Sequence, residues 1–190
     1  MPPFDHFDFI AQYYDHFAGK RKPDELIDLA GLPVQGPILD IGGGTGRVSQ
    51  ALVGMGSQVV LVDISEGMLQ QAAKKDGLRT ACASSCQLPF PPETFDVVIM
   101  VDAFHHVTDQ KTTIDELWRI LKVNGKIIVE EPDINHMAVK LIALMEKVLL
   151  MHSNFIPAES IAGMFPQHQA DTQVITNGII SRVVARKLSG

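Results

Sequence analysis

The sequence predicts an α/β fold: a seven-stranded, mainly parallel sheet with helices on both faces and an antiparallel hairpin closing one side. Three observations predict it. The apolar stretch Ile38-Leu39-Asp40-Ile41 runs into a glycine-rich turn, Gly42-Gly43-Gly44-Thr45-Gly46, and then into a helix-periodic segment with Val48, Ala51 and Leu52. Further continuous apolar runs, above all 58–63 and 96–101, alternate with helical patterns. Continuous runs of that kind suit parallel strands buried on both faces. Near the end of the chain Asn177-Gly178 separates two strand-like runs, a strong local signal for a hairpin.

The chain has 190 residues, which predicts one domain with a substantial core. Its net charge of −6 argues against binding a phosphate backbone as the main task. Cys82 and Cys86 supply neither a disulfide framework nor a full set of zinc ligands, so no metal is expected. Asp5 and Asp8 stand where a signal peptide would carry basic residues, and no run reaches the length of a membrane span. A cytoplasmic location is the expectation.

In order along the chain, Phe4, Phe7, Ile10, Ala11, Tyr14 and Phe17 recur at helical spacing over 4–18. A second helix spans 23–31 and stops at Gly31 and Pro33. The first strand is 37–41 and its helix 46–55. The second strand, 58–63, ends on Asp63, and Ser65 follows as a helix-capping residue. Leu78–Cys82 is a short third strand. The fourth, 96–101, runs into Asp102-Ala103-Phe104-His105-His106. Helix 109–121 follows, then an Asn124-Gly125 turn and the fifth strand, 126–131. Residues 136–152 are apolar on most faces, as in a buried or partner-covered helix. Residues 154–166 read as a loop and a short helix, and Thr172–Thr176 and Ile179–Lys187 as the hairpin strands.

The glycine turn is not a dinucleotide turn, because a G-x-G-x-x-G pattern needs glycine where Arg47 stands. Its pattern is Asp40-x-Gly42-x-Gly44-x-Gly46. This resembles motif I of the class I S-adenosylmethionine-dependent methyltransferases. Three later stretches are similar to the same family in the same order: Asp63-Ile64-Ser65-Glu66-Gly67-Met68-Leu69, the Leu88-Pro89-Phe90 to Phe95-Asp96 segment, and Leu117 to Gly125. Ala11-Gln12-Tyr13-Tyr14-Asp15 looks like the opening of many small-molecule members, and His105-His106 matches a frequent histidine pair. The resemblance covers about residues 11–187 and looks closest to the quinone-biosynthesis branch.

The resemblance implies a Rossmann-like class I methyltransferase fold and S-adenosylmethionine as cofactor, leaving S-adenosylhomocysteine as product. It implies that Asp40, Gly42, Gly43 and Gly44 meet the methionine part, and that Asp63 accepts the ribose hydroxyls. Ile64, Met68, Ser84, Ser85 and Val101 would complete the cofactor site. Where the family usually carries aspartate, this chain has Ser84, a shorter and uncharged group. In a parallel sheet ligands sit at the carboxyl ends of the strands, which puts Asp102, His105 and His106 forward as catalytic candidates. A histidine there would take a proton from an oxygen or carbon acceptor. Tyr14, Phe104 and Glu131 are candidates for the substrate side and lid. The organisation expected is an N-terminal helical lid region over 1–31, a cofactor-binding core over 36–131, and helices plus the closing hairpin over 135–190. The expected function is methyl transfer to a small-molecule O, N, C or S acceptor by a monomer or homodimer. The alternative is a cofactor-binding regulatory module or subunit without transfer activity.

Overall fold

The computed structural model describes residues 23–137, 139–140 and 153–189. The helix expected over 4–18, with Tyr14, lies outside the described residues, as does most of the 136–152 stretch.

The described chain forms a seven-stranded sheet in the order β3-β2-β1-β4-β5-β7-β6. The strands are β1 (Ile38–Ile41), β2 (Val59–Asp63), β3 (Leu78–Cys82), β4 (Phe95–Val101), β5 (Leu121–Pro132), β6 (Ala170–Asn177) and β7 (Ile180–Lys187). The first five are parallel, with Ile38 paired to Val59 on one side and to Val97 on the other. β7 runs antiparallel to β5, and β6 closes the hairpin. Successive strand side chains point to opposite faces. Leu39, Ile41, Val98 and Met100 therefore enter one core, and Ile38, Val97 and Ile99 the other. That is why these runs are apolar without alternation. Each fully buried side chain of this kind contributes about 1.5–3 kcal/mol.

The first face is covered by α4 (Gln110–Ile120) through Ile114, Leu117 and Trp118, and by α5 (Ala158–Gly163) through Ile161. The second is covered by α1 (Asp24–Ala30) through Leu26 and Ala30. Asp109 caps α4 by accepting from Thr112 N at 3.0 Å. Glu116 and Arg119 of α4 reach back to the 88–90 loop: Leu88 N donates to Glu116 Oε2 at 2.8 Å, and Arg119 donates to the Phe90 and Leu88 carbonyls. Those two side chains pin the Leu88-Pro89-Phe90 segment to the helix.

Three boundaries differ from the sequence expectation. The helix after the glycine turn, α2, is regular only over Arg47–Ala51 and then unwinds through turns toward Gly56. β5 begins at Leu121, with no separate turn before it. Leu121 pairs with Phe95 and Lys126 with Val97, so Asn124 (φ 66°) and Gly125 form an irregularity inside the ladder. The hairpin turn is Gly178-Ile179, one residue later than Asn177-Gly178, because Asn177 still pairs with Ile180. Gly178 has φ 63° and Ile179 does not share that sign, the pattern of a type II′ turn with glycine first.

Candidate cofactor cleft

A cleft of about 200 Å³ opens at the carboxyl ends of β1, β2 and β4. The glycine turn forms its floor. Gly42 has φ 66°, and a Cβ there would stand 2.6 Å from Ala103 Cβ; one on Gly43 would stand 2.6 Å from Leu61 Cγ. Any side chain would thus collide with the β4 exit or with β2. Gly42 N and Gly43 N donate to Val62 O at 2.7 and 3.3 Å, closing the turn against β2.

Two carboxylates flank this floor. Asp40, at the end of β1, is 1% exposed, and Ser49 Oγ of α2 donates to its Oδ2 at 2.5 Å. Burial raises its pKa to about 7; the Ser49 hydrogen bond opposes that rise, and the nearby Asp63 charge adds to it. Asp63, at the end of β2, accepts Gly44 N at Oδ2 (2.8 Å) and Ser65 N at Oδ1 (2.9 Å). Ser65 does the capping of α3 (Glu66–Ala72), accepting from Met68 N at 3.1 Å. Asp63 therefore ties the glycine turn to β2.

The rim between β2 and β3 carries Ile64, a large apolar side chain left 70% exposed, above the buried Met68. Ser84 Oγ accepts from Cys86 N at 3.2 Å, and Ser85 Oγ shares a hydrogen bond with Thr113 Oγ1 at 3.1 Å. Both serines line the cleft together with Cys86.

Beyond β4 the chain turns sharply. Val101 and Asp102 line the cleft, and Asp102 holds φ 52°, a left-handed conformation uncommon outside glycine. Residues 104–106 form one 3₁₀ turn. Here the structure separates residues that the sequence grouped. His106 lines the cleft, whereas His105, Phe104 and Glu131 are buried behind its wall, at 5%, 1% and 5% exposure. Glu131 Oε1 accepts Ala103 N at 3.0 Å and Phe104 N at 2.7 Å, and its Oε2 lies 2.5 Å from His105 Nδ1. The His105 ring stacks on Phe155 with centroids 4.1 Å apart. Glu131 thus holds the 103–105 turn from behind the cleft wall. Burial, with the His105 ring next to it, lowers the His106 pKa to about 4, so His106 is neutral at neutral pH.

Residues that sequence reasoning passed over also line the cleft: Thr45, Arg47, Val48, Ala103 and Thr108. In the sequence Arg47 stands out only as a departure from the dinucleotide pattern. Ser49 is the other omission, and its place one helical turn past the glycines was the available signal. The donor set fits S-adenosylmethionine. A side-chain-free floor admits the amino-acid part beside Asp40, the Asp63 carboxylate borders the cleft as an acceptor for hydroxyls, and Ile64 offers an apolar surface to an aromatic ring. Among the described residues no group of three or more His, Cys, Asp or Glu could hold a metal ion. No described helix is long and apolar enough to cross a membrane.

Comparison with known proteins bears on the same residues. A family model described as a methyltransferase domain matches residues 39–129. A demethylmenaquinone methyltransferase from Clavibacter sepedonicus is 38% identical over 104 residues, covering 52% of this chain and 42% of that protein. A ubiquinone/menaquinone biosynthesis C-methyltransferase from Hahella chejuensis is 34% identical over 145 residues, covering 66% and 57%. The chain spans about half the length of these relatives. A Haloferax volcanii protein solved with the methyltransferase activator Trm112 superposes with a TM-score of 0.83 at 17% identity, covering 98% of this chain and 99% of that one.

Proposed function

We propose that this chain, whose residues 39–129 match a methyltransferase-domain family model, acts as a class I S-adenosylmethionine-dependent methyltransferase and methylates a small-molecule acceptor at an O, N, C or S atom. The observation that carries the proposal is the floor at Gly42–Gly44, held between Asp40 and Asp63 at the carboxyl ends of adjacent strands. When bound, the cofactor supplies an activated methyl: its C–S bond breaks as the acceptor–methyl bond forms, and the sulfonium becomes the thioether of S-adenosylhomocysteine. The protein contributes mainly position. Asp63 and Ile64 hold the adenosine end, and the turn and Asp40 hold the amino-acid end. The reacting methyl then belongs near Val101, Asp102 and His106. An acceptor that must lose a proton gives it to water or to neutral His106. With a pKa of about 4, His106 is a weak base and a better hydrogen-bond partner for orienting the acceptor.

The test begins with binding. S-adenosylhomocysteine at a hundred times its dissociation constant is expected to stabilise the fold by ~2.7 kcal/mol, a melting shift of roughly 5–10 °C. Asp63→Ala is expected to cost about 1.5–3 kcal/mol of that binding, and Ser84→Ala about 1 kcal/mol or less. A melting shift with NAD in place of S-adenosylhomocysteine would overturn the assignment. Equal losses in the two variants would misplace one contact. A screen of quinols, phenols, small acids and amines with the methyl donor then looks for turnover.

A further inference from the structure

A second cavity, of about 130 Å³, lies beside the cofactor cleft and shares Arg47, Val48 and Val101 with it. Its other described walls are Pro23 and Leu26 at the start of α1, Glu130 at the end of β5, and Ile180 and Arg182 at the start of β7. The antiparallel register sets Arg182 directly opposite Glu130. Arg182 Nε donates to Glu130 Oε2 at 2.6 Å, and Arg182 is only 6% exposed. Its Nη1 is different. It lies 2.9 Å from Glu25 Oε2, but off the line its N–H bonds take, and it has no hydrogen-bond partner among the described residues. A buried guanidinium nitrogen without a hydrogen bond is costly and needs an acceptor.

We infer that this cavity is the acceptor pocket, and that it takes a single-ring acid whose carboxylate is received by Arg182. The inference rests on the methyltransferase reading, since the acceptor must meet the cofactor across a shared wall. Size supports it: an apolar cavity of about 150 Å³ accepts a benzene ring, and pockets for larger ligands run to about 300–1,000 Å³. The walls are apolar at Pro23, Leu26, Val48, Val101 and Ile180, which suits a flat ring. Among the described residues the charged groups in the lining are Arg47, Arg182 and Glu130, a net positive set, and Glu130 accepts from Arg182 Nε. Glu25, whose side chain is 44% exposed, is a poorly aligned substitute for the missing anion. A ligand carboxylate aligned on Nη1 displaces it. Arginine is the residue suited to that role, because its donors lie in a fixed plane. The ring then points its nucleophilic substituent past Val101 toward the cleft.

The experiment uses the whole chain saturated with S-adenosylhomocysteine, which binds without turnover, and titrates benzoate and its neutral near-isostere benzamide by calorimetry. Benzoate is expected to bind at least tenfold more tightly than benzamide. Glu25→Gln, on a half-exposed position, removes the competing carboxylate and is expected to tighten benzoate severalfold while leaving benzamide unchanged. Arg182→Lys is expected to erase most of the preference, and melting curves show whether that buried substitution still folds. Equal binding of acid and amide, or no effect of Glu25→Gln on benzoate, overturns the inference while the cofactor site stands. Benzoate that competes with S-adenosylhomocysteine also overturns it, because the anion site would then belong to the cofactor's own carboxylate. Failure of S-adenosylhomocysteine to bind the unaltered protein overturns the methyltransferase reading itself, and the acceptor pocket with it.

Discussion

Asp40 and Glu131 make an instructive pair. Each lies at the carboxyl end of a central parallel strand, each is at least nine-tenths buried, and each has a side-chain partner at 2.5 Å. Asp40 leans on Ser49, borders the cleft, and has its pKa raised to about 7 by burial. Glu131 spends both oxygens on the chain itself, on two backbone N–H groups and on His105. The first takes its hydrogen bonds from one residue, Ser49, and borders the cleft. The second is satisfied and braces the wall of that space. A buried carboxylate at the functional end of a sheet is therefore not by itself a ligand contact; whether it borders the cleft, and which segment its donors belong to, decides the matter.

The largest expected effect comes from removing the brace. Glu131→Ala leaves two buried backbone donors and the His105 ring without their acceptor, a loss of about 3–5 kcal/mol. At roughly 2–4 °C per kcal/mol for a chain of this size, thermal unfolding should begin at least ~6 °C lower. A melting temperature within a degree or two of the parent would break the contrast and return Glu131 to the ligand side.

Asp40→Asn is expected to act in the opposite sense on stability. An acid whose folded pKa is raised binds more protons in the folded state than in the unfolded state between about pH 4 and 7, so its contribution to stability falls as pH rises through that window. The neutral amide removes this pH penalty, and above pH 7 the variant should be as stable as the parent or more so, by up to a few kcal/mol. Affinity for S-adenosylhomocysteine should nonetheless drop at least tenfold. In the parent, affinity should rise from pH 6 to 8 as Asp40 loses its proton beside the ligand's ammonium group. Chemical denaturation at several pH values together with calorimetry checks both halves. Unchanged affinity would remove Asp40 from the ligand side of the comparison.

The smallest effect belongs to His106. Its folded pKa is lowered, so its contribution to stability is present above about pH 6.5 and is lost as pH falls toward 4. His106→Ala should flatten that acid limb and leave S-adenosylhomocysteine affinity within about twofold, since a tenfold change would require about 1.4 kcal/mol. With an acceptor in hand, turnover in the parent should show no inflection near pH 6.5. An inflection there, abolished by the substitution, would mean that His106 titrates as an exposed imidazole and takes the proton itself.

The sheet and the glycine-turn side of the cleft were legible in the local pattern of residues. Apolar runs buried on both faces, glycines with no room for a Cβ, and carboxylates at strand ends are local features, and β1, β2 and β4 appear within a residue of where the pattern puts them. The hairpin was also legible, but its turn was displaced by one residue, because register is set by pairing with β5 and not by the dipeptide alone. The other side of the cleft depends on contacts between segments far apart in the chain. Nothing in Phe104-His105-His106 says which ring faces the cleft. That is settled by Glu131, 26 residues beyond His105, and by Phe155, which stacks on His105 from a later segment. The Arg182 cavity was equally invisible, since it is assembled from α1, the end of β5 and the start of β7. Periodicity reports which residues are buried; it does not report which distant partners reach them, and a buried polar group takes its role from those partners.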